Sequence, residues 1–587
     1  MIRTASRLLA LAALLLAGPA GAASRPAVEG ARGMVATANA RATEVGVKIL
    51  EAGGNAVDAA AAIGWALAVV DPCCGNIGGG GFMTLRLSDG REIFVDFRET
   101  APAAATRDMY LDEAGNVLKD ESLTGWRASG VPGTVAGLDH ALARFGTMPR
   151  DRVMAPAITL ARDGFILARA DTDILERGTS RLSRDPEAAR IFLAPDGRAL
   201  KPGDRLVQPD LAATLAEIAA SGPDAFYRGA IAEKVEAAMK ARRGTLAAAD
   251  FAAYRVNETA PVSCTYRGLR LISAPPPSSG GVTICLILNV LEGFDLKAMG
   301  WHSAAFVRTW VETLRHAYVD RNFLLGDPAF VKVPTVRLTS KDHAAAIRDR
   351  IRTDGRIESK SLAPGVAPHE KPETTHYSVV DAAGNAVAVT YTVNGLFGAA
   401  VVAPGTGFLL NDEMDDFTVK PGAANLFGLV QGEANAIRPG KRPLSSMSPT
   451  IVTKDGRLFL VLGSPGGSRI ISTVAETIVD IVDFGMRPQE AADAPRIHHQ
   501  WLPDKVYHEP FGLSADTQAI LKGEGYVLEE QSPWGAVALI AVAPPEAPAA
   551  GPASSGNDAA SSGALLSGRF YGAIDARRPA GAAASPP

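Results

Sequence analysis

Glu373-Thr374-Thr375-His376-Tyr377-Ser378-Val379-Val380 is the stretch on which the reading of this chain turns. A Pro- and Gly-containing segment, 362–372, delivers the chain to a threonine at the mouth of an alternating run rich in β-branched residues. That is the pattern of a half-buried strand, and the run 386–392 beyond the turn 382–385 predicts its hairpin partner. As a strand residue Thr374 needs no further reason, because β-branched side chains suit strands. As chemistry it is a candidate N-terminal nucleophile. A threonine hydroxyl is a weak nucleophile at its ordinary pKa, and a neighbouring amine can serve as its base. If Thr374 became the first residue of a chain, its own α-amine would be that base.

A second segment fits the chemical reading. Gly463-Ser464-Pro465-Gly466-Gly467-Ser468 leaves one apolar run and enters another, 469–483, with helical periodicity. Glycines at a helix start leave backbone N–H groups pointing outward at the positive end of the helix dipole. Such a turn can stabilise an oxyanion; it can equally be a tight strand-to-helix connection. Polar groups also crowd three places next to apolar runs: Asp96-Phe97-Arg98-Glu99, Asn411-Asp412-Glu413-Met414-Asp415-Asp416, and Ser445-Ser446-Met447-Ser448. Singly these read as solvated turns. Together they supply what an amino-acid zwitterion needs, Arg and Ser for a carboxylate and acids for an ammonium.

Further out, 82–87 and 92–96 flank a Ser88-Asp89-Gly90-Arg91 turn, and 449–453 and 458–462 flank Lys454-Asp455-Gly456-Arg457; both predict hairpins. Helical periodicity marks 41–50, 56–70 and 304–319, the last with Phe306, Trp310, Leu314 and Tyr318 on one face. The middle, from about 107 to 362, reads as mostly helical. Strands and helices in separate runs predict an α+β class. The glycine run 78–81 precedes a strand, whereas phosphate-cradling glycines precede a helix, so close backbone packing is the expected role.

The 587 residues carry 59 Lys plus Arg against 63 Asp plus Glu, a formal charge of −4, which argues against a nucleic-acid partner. With 47% hydrophobic and 21% charged residues the composition is that of a globular protein. Arg3 and Arg7 precede the apolar run 8–17; Gly18-Pro19 breaks it, and Ala20-Gly21-Ala22 follows. This predicts a secretory signal peptide, 1–23, cut after Ala22 or Ala23; its apolar run is about half the roughly 20 residues that span a bilayer. A periplasmic or secreted protein, with no membrane segment after signal removal, is expected. Of the four cysteines, Cys73 and Cys74 are adjacent, and Cys264 and Cys285 stand apart; mostly unbridged, buried thiols are expected, with one bridge at most. No Cys or His spacing forms a metal set, and the His498-His499 pair is expected to be structural. The Ala/Pro/Ser/Gly-rich segments 543–563 and 578–587 are expected to be flexible.

Taken together, GGNAVDAA (53–60), GGGGFM (78–83), DFRETAP (96–102), GVPGTVAG (130–137), APPPSSGG (274–281), GDPAFVKVP (326–334), TTHYSVVDAAGNAVAVTYT (374–392), LLNDEMDDF (409–417), KRPLSSMSPTIV (441–452), GSPGGSRI (463–470) and APRIHHQWLPD (494–504) closely resemble the γ-glutamyltranspeptidases of the bacterial periplasmic kind. The resemblance implies the αββα sandwich of the N-terminal nucleophile hydrolases. It implies a precursor that cuts itself between Glu373 and Thr374 into a large subunit, 24–373, and a small one, 374–587. Thr374 would attack the γ-carbonyl of glutathione or another γ-glutamyl compound, with Thr392 hydrogen-bonded to it and Gly466 and Gly467 forming the oxyanion hole. Arg98, Ser445 and Ser446 would hold the α-carboxylate; Asn394, Glu413 and Asp416 the α-amine. The ester would pass to water or to an acceptor amino acid or peptide, with no metal or organic cofactor. Glu413 stands where some relatives have Gln, and Phe427, in the segment 421–435 that resembles a lid, lacks a hydroxyl. A cephalosporin acylase acting on glutaryl side chains is the alternative within the superfamily; Asp416 speaks against it, since a buried anion facing no ammonium is costly. An unprocessed periplasmic binding protein is the alternative of another class.

Overall fold

The computed structural model describes residues 24–351, 356–362, 374–423, 425, 429–543 and 569–587. The expected signal peptide, Glu373, Phe427 and all of 543–563 except Ala543 lie outside the described residues.

Two seven-stranded antiparallel sheets form the centre. One runs Ala582–Ala584, Gly33–Thr37, Thr375–Asp381, Ala386–Thr392, Gly80–Arg86, Glu92–Phe97, Asn257–Thr259. The other runs Val28–Gly30, Phe570–Ile574, Ala538–Val542, Arg457–Gly463, Thr450–Lys454, Leu269–Ser273, Val262–Tyr266. Strand alternation sends one set of side chains between the sheets: Met34, Ala36, Val380, Ala386 and Ala388 meet Ile272, Ile451, Val461, Ile540 and Phe570. The alternate residues face helices. Tyr377, Val379, Val387 and Val389 pack in one core with helix Ala56–Val70, and Leu271, Val452, Leu460 and Leu462 in another with helices Gly280–Leu291, Ala304–Leu324 and Ile470–Val482. The order of layers is therefore helix, sheet, sheet, helix, the αββα sandwich that the resemblance implied.

Helix Ala56–Val70 is buried along its whole length, and Asp58 inside it is accounted for by capping. Asn55 accepts from the Val57 and Asp58 N–H groups, while Asp58 accepts from the Asn55 N–H at 2.8 Å and from Thr147 and Met148. The glycine run packs as expected. A Cβ on Gly79 would lie 1.9 Å from the Thr392 carbonyl oxygen, so only glycine lets this segment lie against the strand end that carries Thr392.

The stretch 107–362 is mostly helical, as expected, with strands 257–259, 262–266 and 269–273 within it, two of them in the second sheet. Two expectations are corrected. The tail 578–587 is not loose. Ala582–Ala584 pairs with Gly33–Thr37, Ala40 donates to the Ala580 carbonyl at 2.7 Å, and Arg578 pairs with Asp71 at 2.9 Å. Small residues there gain backbone hydrogen bonds along a sheet edge, which composition does not reveal. The cysteines form two bridges, Cys73–Cys74 and Cys264–Cys285; sequence spacing carried no information on the distance between the second pair. Among the described residues, no helix is long and apolar enough to cross a membrane.

Candidate functional site

The hairpin register pairs Thr375 with Tyr391, so one step further along it Thr374 faces Thr392. Opposed residues project to the same face, and the two hydroxyl oxygens lie 3.4 Å apart. The Asn394 N–H donates to Thr392 Oγ1 at 2.8 Å, which fixes that hydroxyl from its other side. Thr374 opens onto a small cavity. Arg98, Thr392, Asn394, Glu413, Asp416, Ser445, Ser446 and Gly467 line it, so nine of the ten sequence-predicted residues, counting Thr374, meet there. Gly466 adjoins the cavity through Gly467.

Each arrives from a different element. Gly466 and Gly467 lie between strand Arg457–Gly463 and helix Ile470–Val482, at φ values of 138° and 56°. Both are in the left-handed region that favours glycine. The turn stands at the start of that helix, and Gly467 lines the cavity together with Thr374. Ser445 and Ser446 are held by the Ala274–Gly281 segment: Ser445 N–H donates to the Pro277 carbonyl at 3.0 Å, and Ser279 Oγ donates to the Ser445 carbonyl at 2.6 Å.

Arg98 follows strand Glu92–Phe97 and is fully buried. Its guanidinium donates to Glu413 Oε1, to Asp416 Oδ2 and to the Pro443 carbonyl, with Glu99 Oε2 at 3.6 Å. The groups assigned by resemblance to the two ends of a zwitterion thus form one network. It is rich in acid. Burial would lower the Arg98 pKa, but Glu413, Asp416 and Glu99 hold it above the usual guanidinium range. Burial drives Glu413 up despite Arg98 and lifts Glu99 to about 8. Among the described residues, Glu413 Oε2 and both Glu99 carboxylate oxygens have no hydrogen-bond partner. A cavity-lining carboxylate with an unused buried oxygen is an acceptor for a cationic group.

Arg321 also lines the cavity, and the sequence reading missed it. From helix Ala304–Leu324 its Nη2 donates to Ser446 Oγ at 3.0 Å and its Nε to Ser279 Oγ at 3.1 Å. Burial brings its pKa down to about 10, so it stays cationic at neutral pH and puts a second positive charge behind the serines. The buried stripe Phe306, Trp310, Leu314, Tyr318 continues at helical spacing into Arg321-Asn322, which marks the position as inward-facing but not as part of a site.

Among the described residues no histidine lines the cavity. His376, two residues from Thr374, bonds Thr390 and Ser378, and burial holds it near 3, neutral at any physiological pH. His498 pairs with Ser472 and Gln500, and His499 with Asp504. This is the structural role expected of that pair. The single close grouping of potential metal ligands among the described residues, Asp71, Cys73 and Cys74, has its two sulfurs bound to each other.

The family model described as Gamma-glutamyltranspeptidase matches residues 42–564. A glutathione hydrolase proenzyme of Pseudomonas sp. (strain A14) is 53% identical over 562 residues, 96% of each chain. One from Escherichia coli (strain K12) is 51% identical, covering 88% of this chain and 89% of its own. Among solved structures, a cephalosporin acylase from Bacillus halodurans superposes with a TM-score of 0.80 at 25% identity, covering 97% of this chain and 98% of its own. The chain belongs to the γ-glutamyltranspeptidase family.

Proposed function

We propose that this protein is a self-processing γ-glutamyltransferase and glutathione hydrolase whose nucleophile is Thr374. The observation that carries the reading is the placement of the Thr374–Thr392 pair in one small cavity with the Gly466-Gly467 turn and the Arg98–Glu413–Asp416 network. The precursor cuts between Glu373 and Thr374, and the 24–373 and 374–587 chains remain one αββα unit. The cut exposes an α-amine on Thr374 that can serve as its base; among the described residues no imidazole lines the cavity.

Thr374 Oγ1 adds to the γ-carbonyl carbon of the donor while its α-amine takes the hydroxyl proton. Thr392 steadies Oγ1. The N–H groups of Gly466 and Gly467 take the developing oxyanion, a contribution often worth about 3 kcal/mol. Arg98, Ser445 and Ser446, with Arg321 behind Ser446, hold the α-carboxylate; Glu413 Oε2, Asp416 and Asn394 hold the α-ammonium. Collapse of the tetrahedral intermediate expels the amine, cysteinylglycine from glutathione, which leaves with the proton. Water or the amine of an amino acid or peptide then attacks the γ-glutamyl ester by the same steps in reverse. The predicted signal peptide places this chemistry in the periplasm or outside the cell.

An acylase for glutaryl side chains needs no ammonium site, and the acid-rich network speaks against it. Hydrolysis of γ-glutamyl and glutaryl anilides of the same leaving group separates the two. Losing the ammonium contacts should slow the glutaryl compound by about a hundredfold in kcat/KM. A glutaryl compound cleaved as fast or faster would replace this reading with the acylase.

A further inference from the structure

Two loops carry most of the groups assigned to the α-substituents of the donor, and two buried side chains join those loops. The turn Glu413–Asp416 holds the acids, and the segment 443–446 holds the serines. Arg98 is the first link. It donates to the Asp416 carboxylate and, through Nε, to the Pro443 carbonyl at 3.2 Å. Asn435 is the second. Its Nδ2 donates to the Asp416 carbonyl at 2.6 Å and to Gln431 Oε1 at 3.0 Å, and its Oδ1 accepts from the Leu444 N–H at 2.9 Å. Leu444 stands directly before Ser445. Arg98 lines the cavity, whereas Asn435 is 1% exposed and does not.

The orientation of the Asn435 amide is fixed by its partners. Turned over, it would set its oxygen against the Asp416 carbonyl and its NH2 group against the Leu444 N–H. Its backbone is fixed as well. Lys441 Nζ donates to the carbonyls on either side of it, Ala434 at 2.8 Å and Ala436 at 2.9 Å, and its own carbonyl accepts from the Thr418 N–H at 2.9 Å. Gln431 Nε2 adds a longer contact to the Asp416 carbonyl at 3.3 Å. A buried amide with both donors and its oxygen engaged is costly to disturb.

The two links differ in what a donor does to them. On the proposed reading, a substrate carboxylate and ammonium compete for Arg98 and its acids, so the first link is rearranged at each turnover. Asn435, outside the cavity, keeps its bonds. We propose that Asn435 is a positioning residue that sets the spacing between the ammonium-binding and carboxylate-binding loops, and so decides how strictly the enzyme requires an α-amino acid at its donor. This deepens the proposed function and rests on it. Without the Asn435 bridge both loops keep their side chains, but their separation no longer matches a zwitterion whose two charged groups share a single carbon. A donor lacking the α-amine uses the serine loop alone and is little affected.

The test measures kcat and KM for γ-glutamyl and glutaryl anilides of one leaving group, on the processed enzyme and its variants, with thermal unfolding of each. The wild-type kcat/KM ratio should favour the γ-glutamyl compound by about a hundredfold. Asn435→Ala should lower that ratio by about tenfold, through a higher KM for the γ-glutamyl compound, with glutaryl cleavage within about twofold of the wild type. Gln431→Met removes the longer contact and should lower the ratio by about twofold to threefold; if Asn435→Ala does not fold, this variant decides. Thr418→Val is the control. It removes the hydroxyl's bond to the Gly432 carbonyl at 2.9 Å and loosens the same segment, but leaves the Asn435 amide in place, so the ratio should hold. A folded Asn435→Ala with the wild-type ratio, or one that loses both activities equally, would overturn the proposal and leave the proposed function standing. So would an unchanged ratio in Gln431→Met where it decides, or an equal fall in Thr418→Val. A wild-type enzyme that prefers the glutaryl compound would instead remove the proposed function, and this inference with it.

Discussion

Two buried clusters in this molecule are built from the same side chains and behave in opposite ways. In one, Arg496 and Arg577 meet Glu509 and Asp575, and all four carboxylate oxygens have donors: Trp534, Val537, Arg496 and Arg577 backbone N–H groups as well as the guanidinium groups. Despite burial, Arg496 and Arg577 hold the Asp575 carboxyl below the usual range. In the other, Arg98 is shared among Glu99, Glu413 and Asp416, oxygens remain unused, and the Glu99 and Glu413 carboxyls are pushed up. The first fastens the end of strand Phe570–Ile574 against helix Pro488–Asp493. The second is incomplete by itself; on the proposed reading a zwitterion's ammonium and carboxylate complete it. A fully paired network supports a fold, and an underpaired one at a cavity marks a binding site.

Breaking each cluster should therefore move different observables. Replacing Arg98 by Met is expected to lower kcat/KM for γ-glutamyl substrates by on the order of a thousandfold, read by steady-state kinetics. Arg496→Met should instead cost about 3–5 kcal/mol of stability in denaturant unfolding, with kcat/KM of the remaining folded enzyme unchanged. Equal effects on activity from both would dissolve the distinction.

Their pH signatures should also oppose one another. The folded Asp575 carboxyl is depressed, so its stabilisation is present above its unfolded value, 3.8, and is lost as pH falls through the folded pKa. An Asp575→Asn variant should be less stable than the parent by about 2 kcal/mol at neutral pH, with the gap closing in acid. Glu99 is raised to about 8 from 4.5, so the folded chain binds the extra proton and loses stability as pH rises between those values. Glu99→Gln should gain on the parent across that window, by at most about 1.4 kcal/mol per pH unit. Thermal unfolding of both variants from pH 4 to 9 reads the two slopes. Glu413→Gln keeps an acceptor oxygen, and a rise in KM of about fivefold, roughly 1 kcal/mol, with kcat nearly constant, is expected. Arg321→Lys is the mildest, keeping the charge but losing the fork that reaches Ser279 and Ser446. About a threefold rise in KM is expected, since one hydrogen bond is typically worth about 1 kcal/mol.

Much of this was legible in the sequence where a local pattern carries the physics. The three predicted hairpins, 82–96, 376–392 and 449–462, are strands in the structure because strict alternation and a Gly or Asn turn leave few other choices. Helix Ala304–Leu324 follows from its apolar stripe. The site was legible only as scattered polar clusters that the resemblance put together, because its members are separated by hundreds of residues and meet through sheet pairing. What stayed hidden depends on contacts between distant parts of the chain. Arg321 reads as the polar edge of a core helix until Ser446 is beside it. The tail strand Ala582–Ala584 has no side-chain pattern to announce it, and no spacing rule brings Cys264 to Cys285.

The central claim is that Thr374 becomes an N-terminus, and denaturing mass spectrometry of the purified protein with N-terminal sequencing of each chain tests it most directly. The account predicts two chains, the smaller beginning at Thr374, and one uncut chain for Thr374→Ala. A single wild-type chain running through Glu373-Thr374 would contradict it, because no α-amine would then stand beside the hydroxyl.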